Sequence, residues 1–278
     1  MPQHGIETIL MRRLASRLTM PILLVDPRGD LVYFNEAAGL VLGERFEDTG
    51  GFVRGQWSTR LQITAIDGSA ISREELPLFV ATEQRVPCHR RFRIHGLDGV
   101  DRELESIAFP LIGQGQRMLG AVGVFWDRRA PPKPGVPPVS GSFHLASPGG
   151  DRPVELLLMR QLASYLSTVI FLIGADAPLF YNEPAEQLVG RRFEEDDEVS
   201  AEQWTRMLPS SDEAGSPIPF EQRPLIVALQ RQEPSHQRFR IRGFDQVEHP
   251  IEGLGFPLVN VDGRQLGAVG IFWERIDA

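Results

Sequence analysis

Gly120-Ala121-Val122-Gly123-Val124-Phe125-Trp126 is written twice in this chain, because Gly267-Ala268-Val269-Gly270-Ile271-Phe272-Trp273 repeats it with one exchange of valine for isoleucine. Trp126 and Trp273 stand 147 residues apart, and the same offset relates Trp57 to Trp204 and Phe92-Arg93-Ile94 to Phe239-Arg240-Ile241. It also relates Phe109-Pro110-Leu111 to Phe256-Pro257-Leu258, Asn35-Glu36 to Asn182-Glu183, and Gly43 to Gly190. Further upstream Leu10-Met11-Arg12 matches Leu158-Met159-Arg160 at an offset of 148, so the second copy is one residue shorter in its first turn. A repeat of this length is an array of two similar domains, and every functional reading has to be made twice.

Bulk composition sets the outer limits. The 278 residues suit two domains of about 130 residues, each large enough for one core. Hydrophobic content of 42% and charged content of 24% are those of a globular protein. No apolar run approaches the ~20 residues that span a bilayer, and Met1-Pro2-Gln3-His4-Gly5 does not read as a signal peptide, so a cytoplasmic location is expected. A single cysteine, Cys88, excludes an intramolecular disulfide and a cysteine-based structural zinc site. The net charge of −8 argues against a general nucleic-acid binder, which needs a basic surface to neutralise phosphates. Of the 29 basic residues only Lys133 is lysine, a usage that points to a GC-rich coding genome.

Read in order, Ile6 to Leu18 is an amphipathic helix with Leu10, Leu14 and Leu18 every fourth residue, and Leu158, Leu162 and Leu166 repeat it behind Pro153. These leucines either cover their own domain or form a dimerisation or partner face; burying each is worth about 1.5–3 kcal/mol, so the stripe does not stay in water. Two β-rich runs around Pro27-Arg28-Gly29-Asp30 predict a hairpin, followed by a short helix that Asn35 caps and Gly43 ends. Val169 to Gly174, Leu179-Phe180-Tyr181, Asn182 and Gly190 repeat this plan. Phe46 to Ser72 is irregular. A helix is expected over Glu74 to Glu83, with Phe220 to Arg231 as its counterpart, and Glu74-Glu75 suit its N-terminus. Three strands close each copy: Cys88 to His95, Arg102 to Leu111 and Arg117 to Trp126, then Ser235 to Arg242, His249 to Leu258 and Arg264 to Trp273. This order predicts an α+β domain on an antiparallel sheet. Domain boundaries fall at 1–129 and 153–278, with a Pro/Gly/Ser-rich linker over 130–152 that is semi-rigid and then flexible.

The apolar strand ending at Asp26, the turn to Gly29, Asn35-Glu36-Ala37-Ala38, Gly43, Asp67-Gly68 and Glu75-Leu76-Pro77-Leu78 resemble the PAS family of sensory domains. So do Phe109-Pro110-Leu111 and the closing Gly120 to Asp127, and Asn182, Gly190, Pro224-Leu225, Phe256-Pro257-Leu258, Asp262-Gly263 and Gly267 to Trp273 carry the likeness in the second copy. The resemblance covers almost all of both copies. It implies a five-stranded antiparallel sheet with helices on one face, often a small-molecule pocket, and frequent dimerisation. It supplies no ligand. The cysteine motif of flavin-binding members is missing, with Cys88 at a strand start where the other copy has Ser235, and the helices that carry a haem histidine in other members hold none. Flavin and haem are both disfavoured.

Period-two alternation puts His89, Arg91, Arg93 and His95 on one strand face, and His236, Arg238, Arg240 and Arg242 on its counterpart. This is either a solvated outer sheet face balanced by acids such as Glu194-Glu195-Asp196-Asp197-Glu198, or a basic stripe for an acidic partner or anionic ligand. Arginines between the histidines argue against a metal site. No Walker loop, nucleophile elbow, His-Glu-x-x-His helix, or kinase or cyclase signature is present. The expectation is a stand-alone sensory or regulatory protein of signal transduction, acting in trans on a protein partner or associating with itself, as a homodimer or as an intramolecular pseudo-dimer of the two copies. The alternatives are a small-molecule sensor, or a dimeric scaffold whose cores Phe92, Phe109, Phe239 and Phe256 fill.

Overall fold

Two sheets organise the chain in the computed structural model, which describes residues 6–49, 56–127, 153–174, 180–193 and 207–275. The chain divides into Met1–Pro134 and Gly135–Ala278. The proline-rich linker, the turn at 175–178, the acidic run at 194–198 and Trp204 lie outside the described residues.

In the first domain α1 (Ile6–Ala15) precedes β1 (Ile22–Val25) and β2 (Leu31–Phe34), then α2 (Glu36–Leu42) and the short α3 (Gln56–Arg60). A one-turn helix α4 (Pro77–Phe79) runs into a π-helical turn over Val80–Gln84, and β3 (Cys88–His95), β4 (Asp101–Gly113) and β5 (Arg117–Asp127) follow. All pairings are antiparallel, in the order β2-β1-β5-β4-β3. The sequence order is therefore rearranged so that the repeated stretch in β5 becomes the central strand, between β1 and β4. That placement explains its glycine. Gly120 has φ +134°, and a Cβ there would sit inside the van der Waals shell of the Val25 carbonyl oxygen on the neighbouring strand. Gly267 repeats this with φ +148° against Ile173.

The second domain has α5 (Val154–Tyr165), β6 (Val169–Gly174), β7 (Phe180–Tyr181), α6 (Glu183–Val189) and β8 (Ser210–Ser211). It ends with α7 (Pro224–Arg231), β9 (Ser235–Arg242), β10 (Glu248–Val259) and β11 (Gln265–Glu274). Its sheet order is β7-β6-β11-β10-β9-β8, so it has six strands where five were expected. The extra strand is a two-residue ladder on the edge of β9. The first domain has the same contact as a lone bridge between Thr64 and Arg93, with N–H···O distances of 3.0 and 2.8 Å.

The expected helix over Glu74–Glu83 is broken. Leu76 is extended at φ −71°, ψ 134°, and Arg223 is extended at φ −72°, ψ 139°. Each precedes a proline, whose Cδ pushes the preceding residue out of the helical region. The turn before the break is closed by Ser72 and Glu75 as a capping box, which gives Glu75 the helix-end role expected of it.

One face of each sheet packs under the helices. Leu23, Val25, Phe92, Ile94, Leu104 and Phe125 form that core with Leu42, Leu61 and Leu78. Phe171, Phe239, Ile241, Ile251 and Phe272 do so with Leu188, Ile226 and Leu229. The opposite faces are also buried, at Ile22, Leu24, Ile107 and Val122, and at Ile170, Leu254 and Ile271. Phe109 and Phe256 belong to these opposite faces by strand alternation, so they do not fill the helix-covered cores as expected; Phe92 and Phe239 do.

Candidate functional site

One asparagine in each domain joins three elements. Asn35, 2% exposed, takes the Ala38 N–H at 3.0 Å as the N-cap of α2 and the Ile22 N–H at 3.0 Å at the start of β1. Its amide nitrogen donates to the carbonyls of Ala15, Leu18 and Met20 at 2.9, 3.1 and 2.7 Å, and so holds the C-terminal end of α1. Asn182 donates likewise to Ala163, Leu166 and Thr168 at 3.0, 3.4 and 2.8 Å, and takes the Ile170 N–H at 3.0 Å. Unlike Asn35 it makes no side-chain cap. The Ala185 N–H reaches the Asn182 backbone carbonyl at 2.8 Å instead, which satisfies that donor without the side chain. The sequence found both asparagines as caps, but their main task is to tether the preceding helix.

Further contacts hold these helices to their own domains. The Arg12 guanidinium lies 4.8 Å from the Tyr33 ring centre, and Arg160 lies 4.8 Å from that of Phe180. Glu7 pairs with Arg117 of β5 at 2.7 Å. Burial raises the Tyr33 hydroxyl pKa, with Glu47 and Glu36 adding to it and Arg12 opposing.

The predicted leucine stripe is buried at Leu10, Leu14, Leu18, Leu162 and Leu166, and half-buried at Leu158. Leu18 and Leu166 lie beyond the helices, which end at Ala15 and Tyr165. The outward apolar residues are others: Ile6 and Ile9, 54% and 47% exposed, and at the same places in the repeat Val154 and Leu157, 44% and 46% exposed. A period of four picked the inward face; the outward pair sits at i and i+3 on the other side.

The predicted basic stripe does occupy one sheet face, opposite the core residues Phe92 and Ile94, but carboxylates on neighbouring strands answer it. His89 Nε2 meets Glu105 Oε1 at 2.8 Å, and Arg91 Nε meets Glu105 Oε2 at 3.4 Å. His236 and Arg238 meet Glu252 in the same way at 2.6 and 3.2 Å. His95 pairs with Asp101 at 2.7 Å and Arg242 with Glu248 at 3.8 Å. Arg93 contributes its backbone to the Thr64 bridge, and Arg240 faces the β8 ladder at Ser211. The acids that balance the stripe are therefore cross-strand neighbours; the run at 194–198 expected to do so is not described. Glu105 and Glu252 stand directly across from Trp126 and Trp273. The Glu252 carboxyl is held below its ordinary pKa: burial opposes this most strongly, but the contacts from His236 and Arg238 together outweigh it.

Between sheet and helices the space is small. In the second domain a cavity of about 50 Å³ is lined by apolar side chains with Ser210 and Arg223; in the first, one of about 30 Å³ is lined by apolar side chains with Ser106. Pockets for drug-sized ligands run roughly 300–1,000 Å³, so neither space accepts a flavin or haem ring, and neither lining offers a cysteine or histidine. Cys88 is half-buried at the start of β3. No group of three metal-ligating side chains occurs among the described residues. No helix among them is long and apolar enough to cross a membrane.

No protein-family model and no curated protein matches the chain. Solved structures do. The PAS domain of a protein from Colwellia psychrerythraea is 22% identical, with 43% of this chain and 96% of that one covered and a TM-score of 0.32. The PAS domain of nitrogen regulation protein NR(II) from Vibrio parahaemolyticus is 17% identical over 42% of this chain and 97% of that one, with a TM-score of 0.31. The Rhodobacter sphaeroides LOV protein is 11% identical over 45% of this chain and 68% of that one, with a TM-score of 0.36. Each of the two units of the chain is an α+β domain, an antiparallel sheet with helices over one face and a tethered N-terminal helix.

Proposed function

We propose that this protein is a sensory or regulatory module that works by protein contact, with a second copy of itself as the partner, and catalyses no reaction. The observation that carries this reading is the duplicated outward pair, Ile6 with Ile9 and Val154 with Leu157, on helices whose other sides are fixed to their own domains. Each side chain is about half exposed, so covering it is worth about 1 kcal/mol, half the value for complete burial. A surface present in two equivalent places suits self-complementary, twofold pairing. The titratable groups support a non-catalytic role, since Glu105, Glu252, Asp98 and Glu75 are each engaged by a basic neighbour.

The test is light scattering on the whole chain and on the variants Ile6→Glu/Ile9→Glu and Val154→Glu/Leu157→Glu. Twice the chain mass for the native protein, reduced by either pair of charges with the circular dichroism unchanged, is the expected result. A native chain that stays monomeric as it is concentrated, or a pair of charges that leaves the mass unchanged, overturns the reading.

A further inference from the structure

The first domain has a cleft of about 630 Å³ that shares no lining residue with its core cavity. The end of β2, α2 and the turn over 44–47 line it, with Asp98 of the β3–β4 turn also on its wall. Ligand sites run about 300–1,000 Å³, so this space has room for a whole small molecule.

Three of its residues are not repeated. At the places of Tyr33, Gly39 and Leu40, 147 residues on, stand Phe180, Glu186 and Gln187. The Glu186 carboxylate accepts the Phe193 N–H at 2.9 Å. The first-domain equivalent, the Phe46 N–H, has no acceptor among the described residues, because Gly39 carries no side chain to supply one. Tyr33 adds a second donor. It is 8% exposed and its hydroxyl has no hydrogen-bond partner among the described residues, whereas the Tyr181 hydroxyl donates to the Arg192 carbonyl at 3.0 Å. A donor this buried is costly to leave unmade. Arg12, over the rings of Tyr33 and Phe46 at 4.8 and 6.0 Å, brings positive charge to the same place and pairs with no carboxylate among the described residues.

Two open donors and an unpaired guanidinium make a seat for a carboxylate, the group that the repeat places there itself. A simple anion does not suit the rest of the wall, which carries Glu36 and Glu47. Glu36 has no basic partner among the described residues, and Glu47 lies 4.0 Å from Arg45 Nε with both side chains mostly exposed. Glu44 and Asp98 are already engaged, by Arg60 and Arg102. Free negative charge beside a carboxylate seat calls for a zwitterion. Leu40, 74% exposed, and the Phe46 ring offer it apolar surface.

We propose that the first domain, and not the second, binds a free α-amino acid with an apolar side chain in this cleft. Its carboxylate takes the Phe46 N–H and the Tyr33 hydroxyl, its ammonium faces Glu36 and Glu47, and its side chain covers Leu40. Ser16, just beyond α1, also lines the cleft, so the ligand touches the segment that follows the helix carrying Ile6 and Ile9. The proposal goes beyond the self-association reading, and neither test depends on the other.

The experiment is titration calorimetry on the whole chain with L-phenylalanine and L-leucine. Two part-ligands accompany them: hydrocinnamate, which lacks the ammonium, and phenethylamine, which lacks the carboxylate. Phenylalanine binds at one site per chain and at least about tenfold more tightly than either part-ligand, each of which leaves one charged contact unmade. Tyr33→Phe, which installs the repeat's residue, weakens phenylalanine binding about three- to tenfold, the loss of one hydrogen bond. Glu36→Gln/Glu47→Gln weakens it at least about tenfold, and Phe180→Tyr in the second domain leaves it unchanged. Absence of binding by both amino acids overturns the proposal. So does a part-ligand that binds as tightly as phenylalanine, and so does a Tyr33→Phe or Glu36→Gln/Glu47→Gln chain that keeps its circular dichroism and binds as the native one does.

Discussion

Replacing Asn35 by alanine removes five hydrogen bonds at once while taking away little volume. Two buried amides, of Ile22 and Ala38, lose their acceptor, and each stranded buried donor costs about 1–3 kcal/mol. Three carbonyls lose a donor, which costs less where another remains; Ala15 keeps the Leu18 N–H at 3.2 Å. Allowing for a water that enters the vacated space, the expected cost is about 3–5 kcal/mol, a large share of the roughly 5–15 kcal/mol that stabilises a domain. Asn182→Ala strands one amide, that of Ile170, and costs about 2–3 kcal/mol.

Hydrogen exchange read by mass spectrometry separates the two domains within one chain. Asn35→Ala lowers protection in peptides from 6–127 and leaves those from 153–275 as they were; Asn182→Ala does the reverse. Asn35→Asp is the sharper probe because it keeps the shape and the acceptor. An ionised carboxylate there faces three carbonyls without a proton to offer, so its folded pKa rises above the unfolded value of about 3.9. A group shifted this way favours the fold at low pH. The penalty of Asn35→Asp is therefore smallest below about pH 4 and grows as pH rises through the folded pKa. Domain-one protection lowered by less than about 1 kcal/mol in Asn35→Ala, or a penalty for Asn35→Asp that does not change with pH, refutes the tether.

Two other outcomes follow from the same structure. Gly120→Ala and Gly267→Ala each combine a left-handed φ with a collision against a strand carbonyl, and each prevents its own domain from folding. Gly123→Ala, whose Cβ would lie 3.3 Å from the flexible ends of Leu23 and Leu78, costs about 1 kcal/mol in thermal unfolding. The second concerns acid. Arg102 holds Asp98 at a pKa of about 2, against an ordinary 3.8, and the Glu252 carboxyl is also lowered from 4.5. Lowered carboxylates stabilise the fold above their unfolded values and lose that contribution as pH falls through the folded ones. Stability therefore declines from about pH 4.5 toward pH 2, and in Glu252→Gln the decline is shallower when followed by circular dichroism.

By itself the sequence determined the repeat, the strands and the turns, because those rest on local rules. The second copy of Gly120–Trp126 marks the repeat, alternation marks β3 and β9, and Gly43 and Gly190 end their helices with φ of +86° and +71°. Only the tertiary structure decided what the local signals were for. Asn35 reads as a cap from its neighbours, yet three of its five bonds go to carbonyls 15 to 20 residues away. The leucines at every fourth place are apolar whichever side of the helix is covered, and the fold turned them inward and left Ile6 and Ile9 outside. His89 and Arg91 look like a free basic face until β4 pairs beside them and brings Glu105. The size of a cavity depends on how side chains from six separate segments meet, and no spacing along the chain encodes that sum. Short-range geometry is written in the order of residues; the partners of a buried polar group are set by which distant segments the packing brings together.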